Sequence, residues 1–424
     1  MQSVSGSESA GSTGRPAARY QVLMVALLSV NFGILFFDRN ALNFLMPFVL
    51  PDLHLSNTQV GLTASALSFS WAISGFLVGA ASDRSGRRKT YLVAATFAFS
   101  ICSLLSGLAT SFTMLLASRL LMGVAEGGVL PISQSMTAAS VSPERRGLAM
   151  GVMQNFGSNL LGSFFAPVLL VSFAAAFGWH HAFFLAAAPG LLSGLLLSWF
   201  IREPPAIATQ AASGTVHNTG LGEIFAHRNI ILCAVIAVLL VSYLVVCWAF
   251  MPLFLTQVRG FSPHTMKWLM GTLGISSALG SFVVPGLSDA TGRKPVMVLV
   301  PLLGVILPLG AMYYTGSAWI LAIIFFFGWA LNGVFPLFMG TIPSEAVSAR
   351  HVATALGLVM GTGEVLGGTL SPTIAGWAAD LTGLSAPLWI MLVLCIAAGL
   401  LAMGLTETAP RKLSRLAASV REGA

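Results

Sequence analysis

GAASDRSGRRK at 79–89 and its shorter echo SDATGRK at 288–294 are small polar loops rich in basic residues, each set between two long apolar runs. Both keep an acid, a glycine and basic residues in the same order. The first offers Gly79, Asp83, Arg84, Gly86 and Arg87; the second offers Asp289, Gly292 and Arg293. Sliding the chain on itself by about 205 residues superposes them to within one position. The same offset lays Pro47 on Pro252, Pro131 on Pro336, Arg145 on Arg350 and Pro167 on Pro372. The chain is expected to be two copies of one unit.

Outward from these loops the composition points to a bilayer. Only 8% of residues are charged, 56% are hydrophobic and the mean hydropathy is +0.86, whereas a soluble domain carries roughly 25% charged residues. Apolar runs of about 20 residues, long enough to cross a hydrocarbon core as helices, recur throughout. Twelve spans are expected, at 20–50, 58–81, 90–110, 112–139, 147–176, 181–200, 229–256, 265–288, 295–314, 317–342, 352–379 and 387–405. The runs do not alternate apolar with polar at period two, which excludes a membrane β-barrel. The expected fold is an all-α membrane protein with twelve transmembrane helices in two pseudo-symmetric six-helix bundles. Its expected parts are a disordered tail at 1–18, bundles at 19–200 and 229–405, a flexible linker at 201–228 and a tail at 406–424.

Of the 21 basic residues, Arg39 and Arg119 lie within spans, Arg259 and Lys267 fall on the side reached after odd-numbered spans, and the remaining 17 fall on the other. The positive-inside bias then puts both termini in the cytoplasm. It also accounts for the net charge of +7 and the pI near 9.6 without a nucleic-acid partner. Cys102, Cys233, Cys247 and Cys395 lie within spans without metal-ligand spacing and read as core. The pair His180 and His181 reads as a helix-end feature.

Five ionisable residues sit deep inside apolar runs: Asp38, Arg39, Arg119, Glu126 and Glu364. Charges there are costly and usually line a substrate or proton path. The alternative is an ion pair that only locks helices, but two arginines against three acids leave one acid over. The repeat offset maps Asp38 and Arg39 onto Tyr243 and Leu244, Arg119 and Glu126 onto Ile324 and Leu331, and Glu364 onto Asn159. Scaffold features recur in both halves and the buried charges do not, so they are expected to serve a specialised site. Arg119 and Glu126 are two helical turns apart, roughly 10.5 Å along one face, with Gly123 between them leaving room for close approach. Moving either arginine toward or away from Asp38 and Glu126 would switch their proton affinity; an arginine cannot itself carry the proton. Gln154, Asn155, Ser158 and Asn159, at spacings of three and four, read either as a cavity face or as helix contacts. Tyr243, Trp248 and Asn332 are candidates for the opposite wall, with ordinary packing the alternative for the aromatics.

GAASDRSGRRK with its degenerate copy SDATGRK, the twelve spans and the repeat resemble the major facilitator superfamily. The resemblance implies that Gly79, Asp83, Arg84, Gly86, Arg87, Asp289, Gly292 and Arg293 form a cytoplasmic gate, with Asp83 clipping the halves together. Asp38-Arg39 and RLLMGVAEGG at 119–128 resemble its anion:cation symporter group, although here Asn40 and Asn43 replace the group's Asp-Arg-x-Asn pattern. That resemblance makes Asp38 and Glu126 proton-coupling acids, Arg39 a ligand for the substrate carboxylate and Arg119 the partner of Glu126. Arg119, Asn155, Asn159, Tyr243, Trp248, Asn332 and Glu364 complete the expected substrate site. The expected protein is a monomeric proton-coupled symporter importing a small organic anion, a sugar acid or aromatic carboxylate, across a bacterial inner membrane. It is expected to be no enzyme and to need no cofactor or metal. The same motifs also resemble spinster-like lysolipid carriers, and a transporter-like receptor is a further alternative. A drug:proton antiporter fits less well, because Gly157 and Pro167 in the fifth span are not adjacent.

Overall fold

The computed structural model describes residues 18–141, 145, 149–203, 227–348, 352–409 and 412. Arg350, most of the linker and most of both tails therefore lie outside the described residues. Eleven helices are long and apolar enough to cross a membrane. They are α1 (Ala18–Asp52), α2 (Asn57–Ser85), α3 (Arg88–Gly107), α4 (Phe112–Ser140), α5 (Ala149–Phe177), α6 (Trp179–Phe200), α7 (Arg228–Val258), α8 (Pro263–Thr291), α9 (Arg293–Tyr313), α10 (Ala318–Ala346) and α12 (Ser385–Ala402). The twelfth expected span is α11, one helical run over 352–382 built from Val352–Thr362, a π-helical stretch Gly363–Gly368, and Thr369–Thr382.

Short polar signals set the helix ends. The Ser56 hydroxyl accepts from the Gln59 N–H while the Gln59 side chain reaches back to the Ser56 N–H, a capping box that starts α2. The Ser111 and Ser262 hydroxyls cap α4 and α8 by accepting from the Met114 and Thr265 N–H groups. Gly178 between α5 and α6 has φ 86° and ψ 155°, and Gly383 between α11 and α12 has φ 94° and ψ 166°. Left-handed φ of this kind suits glycine, and the two glycines stand about 205 residues apart, so the repeat is visible in the backbone.

Close packing repeats as well. In α2–α4, a Cβ added to Gly127 would stand 2.6 Å from the Gly75 nitrogen; in α8–α10, one added to Gly333 would stand 2.4 Å from the Gly280 carbonyl oxygen. Gly123, expected to leave room beside Arg119 and Glu126, admits α2: its Cβ would stand 2.0 Å from the Ser70 hydroxyl. Small residues let helix backbones approach where lipid offers no hydrophobic drive.

The halves join most tightly at the end carrying the α1–α2 and α5–α6 turns. On one side α2 meets α11, where a Cβ on Gly61 would stand 2.1 Å from the Pro372 carbonyl oxygen and the Ser65 and Thr373 hydroxyls lie 2.7 Å apart. On the other, α5 meets α8, where a Cβ on Gly274 would stand 2.5 Å from the Phe164 nitrogen and Lys267 Nζ donates to Ser172 Oγ at 2.7 Å. Further along α11, Cβ atoms on Gly361 and Gly357 would meet nothing within 4 Å. The two helices therefore part toward the end that carries the Asp83 and Asp289 loops.

In the loops, Asp83 Oδ1 accepts from Arg88 Nη2 at 3.0 Å, a neighbouring arginine of its own half. Arg84 and Arg87 are exposed. In the second copy Arg293 Nη1 reaches Asp289 at 2.5 Å and Nη2 reaches Glu345 at 3.1 Å, again within one half. Gly86 and Gly292 both have positive φ, at 67° and 110°.

Candidate functional site

Regular helix gives way within several spans. π-helical turns occupy Val152–Phe156 and Ser158–Phe165 in α5, Leu337–Thr341 in α10 and Gly363–Gly368 in α11, and a 3-10 turn occupies Ala330–Val334 in α10. Such turns re-aim side chains and often flank functional positions. The repeat offset lays the second π turn of α5 on that of α11. Of the five charged residues expected deep in the spans, four are on α1 and α4 and the fifth, Glu364, is on the π turn of α11.

Asp38 and Glu126 are fully buried, and Arg119 is 1% exposed. Arg39, one residue after Asp38, reaches Glu126 at 4.0 Å, Nη1 to Oε2. Its guanidinium lies 5.0 Å from the Trp71 ring centre and 5.7 Å from that of Phe36, cation–π contacts from α2 and from its own helix. Arg119 was expected to partner Glu126; instead its Nη2 donates to Ser106 Oγ at 2.8 Å and its guanidinium lies 5.5 Å from the Phe183 ring centre. The carboxylates of Asp38 and Glu126 still act on it electrostatically. Ser103 stands near Asp38 but donates to the Phe183 carbonyl at 3.3 Å. Both oxygens of Asp38 and of Glu126, with Nε and Nη1 of Arg119, make no hydrogen bond among the described residues. Buried polar atoms are nearly always satisfied, so this cluster holds donors and acceptors that a changed proton state or a neighbour can engage.

Glu364 projects from the π turn of α11 and is half-buried. Nothing basic in its own half was expected to pair with it, and the charge that acts on it comes from Arg39 of the other half.

The other expected residues divide. Tyr243 is fully buried and its hydroxyl donates to the Gly304 carbonyl at 2.9 Å, so it braces α7 on α9 and is not a wall of the cavity. Trp248 packs edge-on against Phe44 and Trp329, with ring centres 5.6 and 5.3 Å away. Asn332 spends its amide nitrogen on Ser277 Oγ at 2.9 Å, where Trp329 also donates at 2.8 Å. Asn155 and Asn159 are half-buried on the π turns of α5. Of their neighbours, Gln154 accepts from Gln134 at 3.2 Å and Ser158 bonds back to the Gln154 carbonyl at 2.6 Å. Sequence reasoning missed Trp71, Ser106, Ser277 and Trp329. The buried serines Ser100, Ser103 and Ser106, three apart on α3, are the one pattern that points to the Arg119 socket; Trp71 carries no such signal. The four cysteines are buried and free, and His180 accepts or donates at Nδ1 with the Gly107 carbonyl at 2.7 Å, a helix-end contact.

Two six-helix units around a buried charge cluster define a secondary carrier. The model of the Major Facilitator Superfamily matches residues 28–254 and 237–422, and the chain belongs to that family. It is 29% identical over 373 residues to the hexuronate transporter of Bacillus subtilis (strain 168), covering 82% of this chain and 85% of the relative. It is 25% identical over 390 residues to a probable sulfoacetate transporter of Cupriavidus necator, covering 85% and 88%. Among solved structures, a bacterial homolog of the human lysosomal transporter Spinster, in an inward-facing and occupied conformation, superposes with a TM-score of 0.75 at 20% identity, covering 91% of this chain and 97% of that one. The chain is thus a transmembrane transporter, not an enzyme, and the two relatives named above are designated transporters of organic acids.

Proposed function

We propose that the protein is a proton-coupled symporter that imports an organic anion, a sugar acid or aromatic monocarboxylate, by alternating access. The observation that carries this reading is the 4.0 Å contact between Arg39 and the sealed carboxylate of Glu126. Arginine stays charged and binds carboxylates through a planar fork, while a glutamate can take a proton. Protonating Glu126 removes the charge that holds Arg39, and the guanidinium then becomes available to a substrate carboxylate. Proton and anion therefore bind with positive coupling, and by linkage each raises the affinity for the other.

In this reading Asp38 is a second proton carrier, Arg119 tunes both acids from its socket at Ser106, and Asn155, Asn159, Trp248 and Asn332 line the path of the substrate body. The end closed by α2–α11 and α5–α8 faces outward and the parted end faces the cytoplasm, in a bacterial inner membrane with both termini inside. The Asp83 and Asp289 loops form the cytoplasmic gate of a monomer. Relatives named for hexuronate and sulfoacetate support the choice of an organic acid.

Proteoliposomes test it. An inward pH gradient drives accumulation of a hexuronate without sodium, and dissipating the gradient abolishes it. Strict sodium dependence, or transport of a lysolipid in preference to any acid, overturns the reading.

A further inference from the structure

Glu364 is the acid left over once Arg39 faces Glu126. Unlike Asp38 and Glu126 it is not sealed: it is half-buried on the π turn of α11. Gly368, one turn on, lacks the side chain that would crowd it. A Cβ there would stand 3.3 Å from Oε2 of Glu364 and 3.6 Å from Oγ of Ser68 in α2. The carboxylate thus lies where α11 meets the first half, just before the two helices part. Arg39 acts on it electrostatically, yet no hydrogen bond or ion pair holds it among the described residues.

A substrate whose carboxylate sits on Arg39 has donors at that end, and Glu364 of the other half offers carboxyl oxygens that accept hydrogen bonds. An ionised carboxylate accepts hydrogen bonds and donates none. An apolar substrate end placed there would strip Glu364 of water and leave it unpaired, and a second carboxylate would be repelled. We propose that Glu364 is a specificity-determining residue, accepting an N–H or O–H hydrogen bond from the end of the substrate remote from its carboxylate. This rests on Arg39 as the anion site and adds to it what the rest of the molecule must carry.

Three monocarboxylates test the proposal by calorimetry on the purified carrier: cyclohexanecarboxylate, with no further donor; a hexuronate, with hydroxyl donors; and trans-4-(aminomethyl)cyclohexanecarboxylate, with a cationic N–H donor. Wild type binds at least one donor-bearing acid about tenfold or more tighter than cyclohexanecarboxylate. Glu364→Leu erases that preference and binds cyclohexanecarboxylate at least as tightly as wild type does. Glu364→Gln, which keeps a neutral acceptor and the shape, cuts the preference by roughly threefold or more and serves if the leucine variant does not fold. A preference confined to the amino acid assigns a cationic nitrogen; one confined to the hexuronate assigns a hydroxyl. Preference of wild-type size in either variant overturns the proposal, as does equal loss of all three acids. Failure of the Arg39 reading looks different: Arg39→Lys then binds cyclohexanecarboxylate as wild type does, while the Glu364 ratios are read independently. If wild type binds none of the three, both readings fall.

Discussion

Arg39 and Glu126 face each other at 4.0 Å across α1 and α4, with the arginine side chain 16% exposed and the glutamate fully buried. Of the two, only the arginine is accessible. In the proposed mechanism an arriving anion meets a guanidinium already committed to an internal carboxylate, and the proton state of that carboxylate becomes a condition of binding. Trp71 and Phe36 hold the guanidinium in place from their ring faces, so it need not travel far to change partners.

Glu126→Gln is expected to keep substrate exchange and lose gradient-driven accumulation. Glutamine has the shape of the protonated acid and cannot cycle a proton. Counterflow and pH-driven uptake, measured on the same proteoliposomes, separate the two activities. Equal loss of both would give Glu126 a structural or direct binding role.

Arg39→Lys is expected to weaken carboxylate binding by about tenfold to a hundredfold, the scale of a charge-assisted hydrogen bond. An ammonium cannot reproduce the two parallel bonds of the fork. The neutral amide of the same substrate binds poorly to wild type and gains nothing from the change. Titration of acid and amide against both proteins checks this, and an amide that competes as well as the acid sinks it.

The fold was legible because bilayer physics leaves little choice: apolar length fixes the helices, and the repeat of Asp83 on Asp289 and of Pro47 on Pro252 fixes the two halves. The buried charges were legible too, since each stands out against an apolar run. Their partners were not. Arg119 and Glu126 share a face of α4 by spacing, but the ring of Trp71 and the hydroxyl of Ser106 arrive from α2 and α3, whose packing against α4 no periodicity encodes. Tyr243 shows the reverse limit. A polar tip in an apolar helix reads as a cavity lining until the Gly304 carbonyl, some sixty residues on, is seen to accept from it.

Acid is expected to loosen the end of the second half that carries the Asp289 loop. Glu407, just beyond α12, accepts from the backbone N–H groups of Arg293 at 2.7 Å and Ala409 at 3.0 Å. Burial alone would raise its pKa, but these backbone bonds and Lys412 outweigh it and hold the carboxyl below its ordinary value. The folded form therefore gains stability from this group above the ordinary carboxylate range and loses it as pH falls through the lowered value. Glu407→Gln is expected to lower the apparent Tm by roughly one to three degrees at pH 7, a difference that shrinks as the pH falls below the ordinary carboxylate range and vanishes below the lowered value. A Tm difference that persists in acid would show that ionisation of Glu407 is not its source.

Asp380→Ala is expected to release the closed end of the molecule. Asp380 at the end of α11 accepts from the N–H groups of Asn57 and Thr58 at 2.8 Å each and from the Thr58 hydroxyl at 2.6 Å. The Ser56–Gln59 capping box serves other groups at the start of α2, so these two orphan N–H groups depend on a carboxylate from the opposite half. The helix dipole adds to the attraction. An arrangement open at this end must break all three bonds, so their loss favours it by about tenfold to a hundredfold on the scale of hydrogen bonds to a charged group. A cysteine at Thr373, whose hydroxyl meets Ser65 at 2.7 Å inside the same seam, reports the opening. An impermeant maleimide applied from outside reacts faster with Thr373→Cys when Asp380→Ala is also present, while a cysteine placed on an exposed loop reacts at an unchanged rate. Equal labelling of Thr373→Cys with and without the alanine would show that the seam is held by the α2–α11 glycine packing and not by Asp380.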